Sequence, residues 1–342
     1  MQLLVLCASL GILALAAVVQ SFPILDPSCA RQIRRIRSAA ATLRLHDDVD
    51  DGGRRDWLLS SSSATAALAA LTSLAPISAD AAPSDLHLIT DPNTYSALAY
   101  SPPIQAAADT RQQKPPPLLL VLPGAAQNKG TAWDLADMNG EHRGLPTSLL
   151  AAADLAPECL AQNFAVVTPY PGRNVQSFYD EPRRKILQFV QWLCDQSGEN
   201  GIPKFDPSQI FLLGFSDGAT LSIELMTTGK FRGGVVAAYG FTGTLPQLAL
   251  DRLKGKPIWV FHSADDVIFP VACSDRLVES LRKVNGETQG SNLIRYSRFD
   301  SDQEGFTGRV RGHSTGITAS KRADIYDWML SYVYRTNTIS IE

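Results

Sequence analysis

Ser216 lies in the run Gly214-Phe215-Ser216-Asp217-Gly218, directly after the apolar stretch "IFLL" and before "ATLSIELMTTG". A serine hydroxyl can attack a carbonyl carbon once a neighbouring base takes its proton. A strand that turns sharply into a helix exposes such a serine, and the two glycines are needed where strand and helix cross. A surface turn is the competing reading of the same pattern. The base and the acid must then come from downstream, in the order serine, acid, histidine. Two histidines follow Ser216, His262 and His313. His313 lies in the glycine-flanked stretch "RGHSTG" and is the expected base. His262 precedes the acid and is expected to support its loop by hydrogen bonding. Asp265 and Asp266 follow the run "PIWVFH". Asp266 is the expected acid, which would orient the imidazole and stabilise the imidazolium, while Asp265 caps the turn. A tetrahedral intermediate also needs main-chain donors. The N–H of Asp217 and that of Ala125 (or Ala126) in "LPGAAQNKG" are the candidates.

Strands must hold these groups at one edge. Short apolar runs bounded by turn residues occur at 118–122, 164–169, 210–214, 233–240 and 257–262, with a more mixed run at 293–299. An earlier alternating stretch, 94–102, is bounded by proline. Between the runs, Ile186, Phe189, Val190 and Leu193 recur at helical spacing, as do Leu277, Leu281 and Val284, and then Ile325, Trp328, Met329 and Val333. Strands rich in Val, Leu and Ile that alternate with helices predict an α/β fold with a mostly parallel central sheet and helices on both faces. Catalytic groups then gather beyond the carboxyl ends of the strands.

The chain has 342 residues and a formal net charge of −3. No extended basic footprint points to nucleic acid. The absence of C-x-x-C and H-E-x-x-H spacings predicts no metal site; no cofactor is expected. The first part of the chain reads as an address. Residues 1–21 contain a continuous apolar run of signal-peptide length; a membrane-spanning helix is the alternative. Residues 22–81 combine an arginine-rich, acid-free stretch (31–44) with Arg54-Arg55, an alanine-rich run and Ala79-Asp80-Ala81. The competing readings are a solvated amphipathic helix for the first and a low-complexity linker for the second. The order resembles the multi-part presequences of algae with complex plastids. It implies a plastid destination, the thylakoid lumen if the twin-arginine signal acts; secretion is the alternative. The folded domain is expected over 82–342, without a stable membrane span. Its cysteines are Cys159, Cys194 and Cys273, an odd count that leaves at least one unpaired. Cys194 reads as a core residue, and a Cys159–Cys194 bridge is open.

The segments "LLLVLPGAAQNKG", "FDPSQIFLLGFSDGAT", "KPIWVFHSADDVIFPVACSDRLVESLRKV" and "GHSTGITASKRADIYDWMLSYV" carry a family resemblance. The chain resembles the α/β-hydrolases of the predicted esterase group related to phospholipase/carboxylesterases and prolyl-oligopeptidase-like hydrolases. The resemblance implies an α/β-hydrolase fold, with Ser216 as nucleophile, Asp266 as acid, His313 as base, and Ala125 (or Ala126) and Asp217 as oxyanion donors. It departs from the family at Pro123, where His is usual, and at Ser263, where Gly is usual. Residues 127–163 match no motif and are expected to line the substrate pocket. The implied function is hydrolysis of small carboxylic esters or thioesters through an acyl-enzyme. Two alternatives stand beside it: a serine peptidase of the prolyl-oligopeptidase-like type, and a catalytically inactive binding protein of the same fold.

Overall fold

The computed structural model describes residues 86–103, 114–125, 130–140, 143–173, 175–286 and 292–333. The leader segments 1–21 and 22–81 lie outside these residues, as does Ala126. Among the described residues, eight strands form one sheet in the order β1-β2-β4-β3-β5-β6-β7-β8. They are β1 (Leu86–Thr90), β2 (Ser96–Tyr100), β3 (Leu118–Leu122), β4 (Ala165–Tyr170), β5 (Ile210–Phe215), β6 (Gly233–Ala237), β7 (Ile258–Ser263) and β8 (Ile294–Phe299). Strands β4, β3, β5, β6, β7 and β8 are mutually parallel, and β2 pairs antiparallel with both β1 and β4.

The central strands are apolar at every position because both of their faces are covered. Leu118, Leu120, Leu122, Ile210, Leu212, Ile258 and Val260 point into one core. Leu119, Val121, Phe211, Leu213, Trp259 and Phe261 point into the other. On the first face lie α3 (Arg183–Asp195), α4 (Asp217–Met226), α5 (Gln247–Leu253) and α6 (Ala272–Asn285). On the second lie α1 (Pro146–Ala151), α2 (Glu158–Asn163), α7 (Thr315–Ser320) and α8 (Ala323–Leu330). In α3 the predicted stripe Ile186, Phe189, Val190 and Leu193 is the buried one. Full burial of a side chain such as Phe189 contributes about 2–3 kcal/mol of transfer free energy, which is how an amphipathic helix is held on its sheet.

Two expectations need correction. Strand β1 has no counterpart in the sequence reading. It is an edge strand with a mixed burial pattern, so its residues do not carry the clean alternation that marks β2. The open Cys159–Cys194 bridge does not exist, since all three cysteines are free thiols. Cys194 packs against the first core and Cys159 against the second, so the sheet stands between them. Cys159 instead donates to Asp327 Oδ1 at 2.8 Å.

Candidate active site

Strand β5 delivers Ser216 to the carboxyl rim of the sheet, where α4 begins at the next residue. Ser216 has φ 58° and ψ −123°, a region that L-residues rarely occupy and that costs on the order of 1–3 kcal/mol. The surroundings enforce it. The Ser216 N–H donates to the Ala237 carbonyl at 2.9 Å, and its own carbonyl accepts from Ala219 and Thr220. Gly218 lets the first turn of α4 cross β3: a Cβ there would run into the Leu122 carbonyl oxygen. Ser216 itself is buried, with 6% of its surface exposed.

The loop after β3 comes close from the other side. A Cβ on Gly124 would stand 2.9 Å from the Ser216 Cβ and 3.3 Å from its Oγ. The next residue is Ala125, and Asp217 is the first residue of α4. The backbone of both predicted donors is thus adjacent to Ser216. The alternative donor, Ala126, lies outside the described residues.

His313 Nε2 is 2.9 Å from Ser216 Oγ, and His313 Nδ1 is 2.8 Å from Asp266 Oδ2. An ionised carboxylate only accepts, so Nδ1 carries the proton and Nε2 is left as an acceptor for the serine hydroxyl. The three side chains therefore form one directed chain of hydrogen bonds. Phe215 and Phe269 flank the imidazole, with ring centroids 5.1 and 5.5 Å from it. Sequence reasoning passed over both rings, although Phe215 is the residue just before Ser216.

Asp266 is fixed through both oxygens. Its Oδ1 accepts from the N–H groups of Ile268 at 2.8 Å and Phe269 at 2.9 Å. Its Oδ2 faces His313 and, at 3.4 Å, His262 Nε2. Burial alone would raise the pKa of this carboxyl. Hydrogen bonds from His262 and His313, the charge of His313 and the Phe269 N–H outweigh it and hold the group well below the usual carboxylate range.

The supporting residues largely follow expectation. His262 is fully buried. Its Nε2 donates to the Phe269 carbonyl at 3.0 Å, so Nδ1 accepts from the Ser274 hydroxyl at 2.7 Å. It therefore supports the acid loop and takes no place beside Ser216. Asp265 does not cap the turn. It accepts from the Ser263 hydroxyl at 2.6 Å, and Asp266 does the capping. That bond also explains how serine is accommodated at 263. A further support had no sequence signal: Ser314, next to the base, donates to Asp302 Oδ1 at 2.6 Å.

The mostly parallel sheet and the serine at its strand-to-helix turn show the α/β-hydrolase fold, and residues 177–301 match the family described as Phospholipase/Carboxylesterase. The match contains Ser216 and Asp266; His313 falls beyond it. No curated protein matches the chain. Among solved structures, a thermostable esterase is similar at 18% identity and a TM-score of 0.50, covering 73% of this chain and 63% of its own. This chain thus spans less than two thirds of that esterase's length. At this identity the likeness bears on the fold alone. The carboxylesterase Cest-2923 from Lactobacillus plantarum has 16% identity, covers 63% of this chain and 83% of its own, and has a TM-score of 0.43. The fluorophosphonate-binding serine hydrolase FphF from Staphylococcus aureus has 15% identity, 72% and 97% coverage and a TM-score of 0.44.

Proposed function

We propose that the chain hydrolyses carboxylic esters or thioesters through a covalent acyl-enzyme on Ser216. One observation carries this reading: the directed chain from Ser216 Oγ through His313 to Asp266. Ser216 Oγ attacks the carbonyl carbon while its proton passes to His313 Nε2. The carbonyl electrons move onto oxygen, and the resulting oxyanion faces the N–H groups of Asp217 and Ala125, near the N-terminus of α4. Collapse breaks the bond to the alcohol or thiol, which leaves with the proton from Nε2. Water then attacks the acyl carbon and gives its proton to Nε2; the bond from the acyl carbon to Oγ breaks, Oγ takes that proton back, and the acid is released. Asp266 stays ionised throughout and stabilises the imidazolium. The rings of Phe215 and Phe269 restrict the imidazole to this orientation.

The test is labelling with a fluorophosphonate followed by peptide mass mapping. The expected adduct is on Ser216. Folded protein that takes no label would favour a binding module over an enzyme.

We also propose that the mature chain begins near Ala82 after delivery to a plastid. The order of the leader segments supports this. N-terminal sequencing of the protein from its source should find that start, and retention of Met1 would remove the argument. Among the described residues no helix is long and apolar enough to cross a membrane.

A further inference from the structure

We propose that a cavity beside α4 binds a small uncharged molecule with an apolar body and one hydrogen-bond acceptor, which the hydroxyl of Tyr239 engages. The cavity has a volume of about 390 Å³, within the range of small-molecule sites. It lies on the first face of the sheet, between α4 and the segment 239–249 that leads from β6 into α5. Ser216, Asp266 and His313 do not line it, so this site is separate from the ester reading and independent of it.

The wall sets the class of ligand. Ile223, Leu225, Phe241, Leu245, Pro246 and Ala249 supply apolar surface. Five of the six polar side chains on the wall already have partners within the protein. Arg183 pairs with Glu224 at 2.5 Å, and both remain partly exposed, so they stand at the mouth and cancel each other's charge. Thr220 Oγ1 accepts from the Gly240 N–H at 3.3 Å. Thr227 and Thr228 donate to the Glu224 and Leu225 carbonyls at 2.6 and 2.7 Å. Tyr239 differs from these. It is only 2% exposed, it lines the cavity, and among the described residues its hydroxyl has no hydrogen-bond partner. Burial, and after it the charge of Glu224, raise the Tyr239 pKa, so the phenol keeps its proton and acts as a donor. A buried donor without an acceptor is unfavourable, and a ligand that brings an acceptor removes that cost. A charged ligand would lose its hydration without finding an unpaired counter-charge. A protein segment does not suit the site either, because a stable interface covers about 800 Å² on each partner, far more than a cavity of this size presents.

The probe is benzophenone, which is uncharged, carries a single carbonyl acceptor and crosslinks on irradiation to the C–H groups beside it. It is titrated against the full chain, and peptide mass mapping locates the adducts. The expected result is saturable labelling among residues 239–249. Tyr239→Phe removes only a hydroxyl that no described residue engages, so the variant should fold, and circular dichroism checks that it does. It should raise the half-saturating concentration by about threefold to tenfold. Ala249→Trp, at a half-buried position on the wall, fills the cavity and should abolish saturable labelling there. If that variant does not fold, Tyr239→Phe decides alone. Labelling that does not saturate, or that falls only on other residues, overturns the proposal. Unchanged half-saturation in Tyr239→Phe does so too, since the cavity would then take the probe by shape without using its donor. Labelling that declines as protein concentration rises would mean that a second copy of the chain covers the cavity, and this also overturns it. Ser216→Ala should be labelled among residues 239–249 as the wild type is, so failure at this site and failure of the ester reading are told apart.

Discussion

The two rims of the sheet solve opposite problems with the same strands. At the carboxyl rim every polar group of the site is held by a partner of complementary character. Asp266 receives two backbone N–H groups and two imidazoles, and Ser216 is locked at positive φ by bonds on both sides of its peptide. At the amino rim Lys230, Arg232 and Lys256 bond to oxygens of Gln191, Tyr332 and Phe231. Strain and burial at one rim make a group reactive in one defined direction. The strands between are buried at every position but Phe215, so a change at one rim is expected to leave the other intact.

The largest effect should come from Ser216→Ala. Turnover of p-nitrophenyl butyrate is expected to fall by about 10⁴–10⁶-fold, with the circular dichroism spectrum unaltered. Wild-type turnover in this variant would remove the nucleophile assignment. Asp266→Asn comes next, at about 10⁴-fold in kcat. An asparagine amide in place of the accepting oxygen would donate to Nδ1 and put the proton on Nε2. The hydroxyl of Ser216 would then face a donor. A loss below tenfold would mean that the acid does not set the tautomer.

A pair of glycines compares the rims in terms of stability. Gly218→Ala drives a methyl into the Leu122 carbonyl oxygen at the carboxyl rim. Backbone against backbone cannot yield by a rotamer change, so a loss of about 3 kcal/mol is expected. Gly229, at the amino rim, has φ +84° but nothing within 4 Å of a Cβ. Gly229→Ala should therefore cost only the left-handed penalty, about 1 kcal/mol. Thermal denaturation measures both; equal losses would mean that the carboxyl rim is no more tightly constrained than the other.

Much of this was legible in the sequence because several physical signals agreed. Continuous apolar runs marked the strands of β3 to β7, since burial on both faces leaves no polar alternation to confuse the reading. Ser216 was legible because its glycines stand between a strand pattern and a helix pattern. His313 and Asp266 followed from order and loop context. Long-range support was not legible. Asp302 meets Ser314 across loops with no spacing rule between them, and Phe269 reaches the imidazole only because Asp266 folds its own turn. The gathering of basic residues at the amino rim was hidden for a related reason. Lys230 and Arg232 lie more than twenty positions before Lys254 and Lys256, so the sequence shows two ordinary basic pairs, and only the parallel pairing of β6 with β7 brings them together.

The smallest expected effect concerns acid stability, and its sign follows from the carboxyl rim. Folding lowers the Asp266 pKa below the ordinary carboxyl value of 3.8. The ionised group therefore contributes stability that is fully present above about pH 4 and is lost as pH falls toward the folded value. In that window the unfolded chain binds a proton that the folded chain refuses. Asp266→Asn has no such group, so it should be less stable near neutrality but should lose stability less steeply on acidification. The difference in slope approaches one proton, roughly 1.4 kcal/mol per pH unit, as pH falls below about 3, measured by urea denaturation between pH 4 and pH 2. Parallel slopes would show that the imidazoles and backbone donors do not outweigh burial at Asp266, and the account of the carboxyl rim would fail at its best-defined residue.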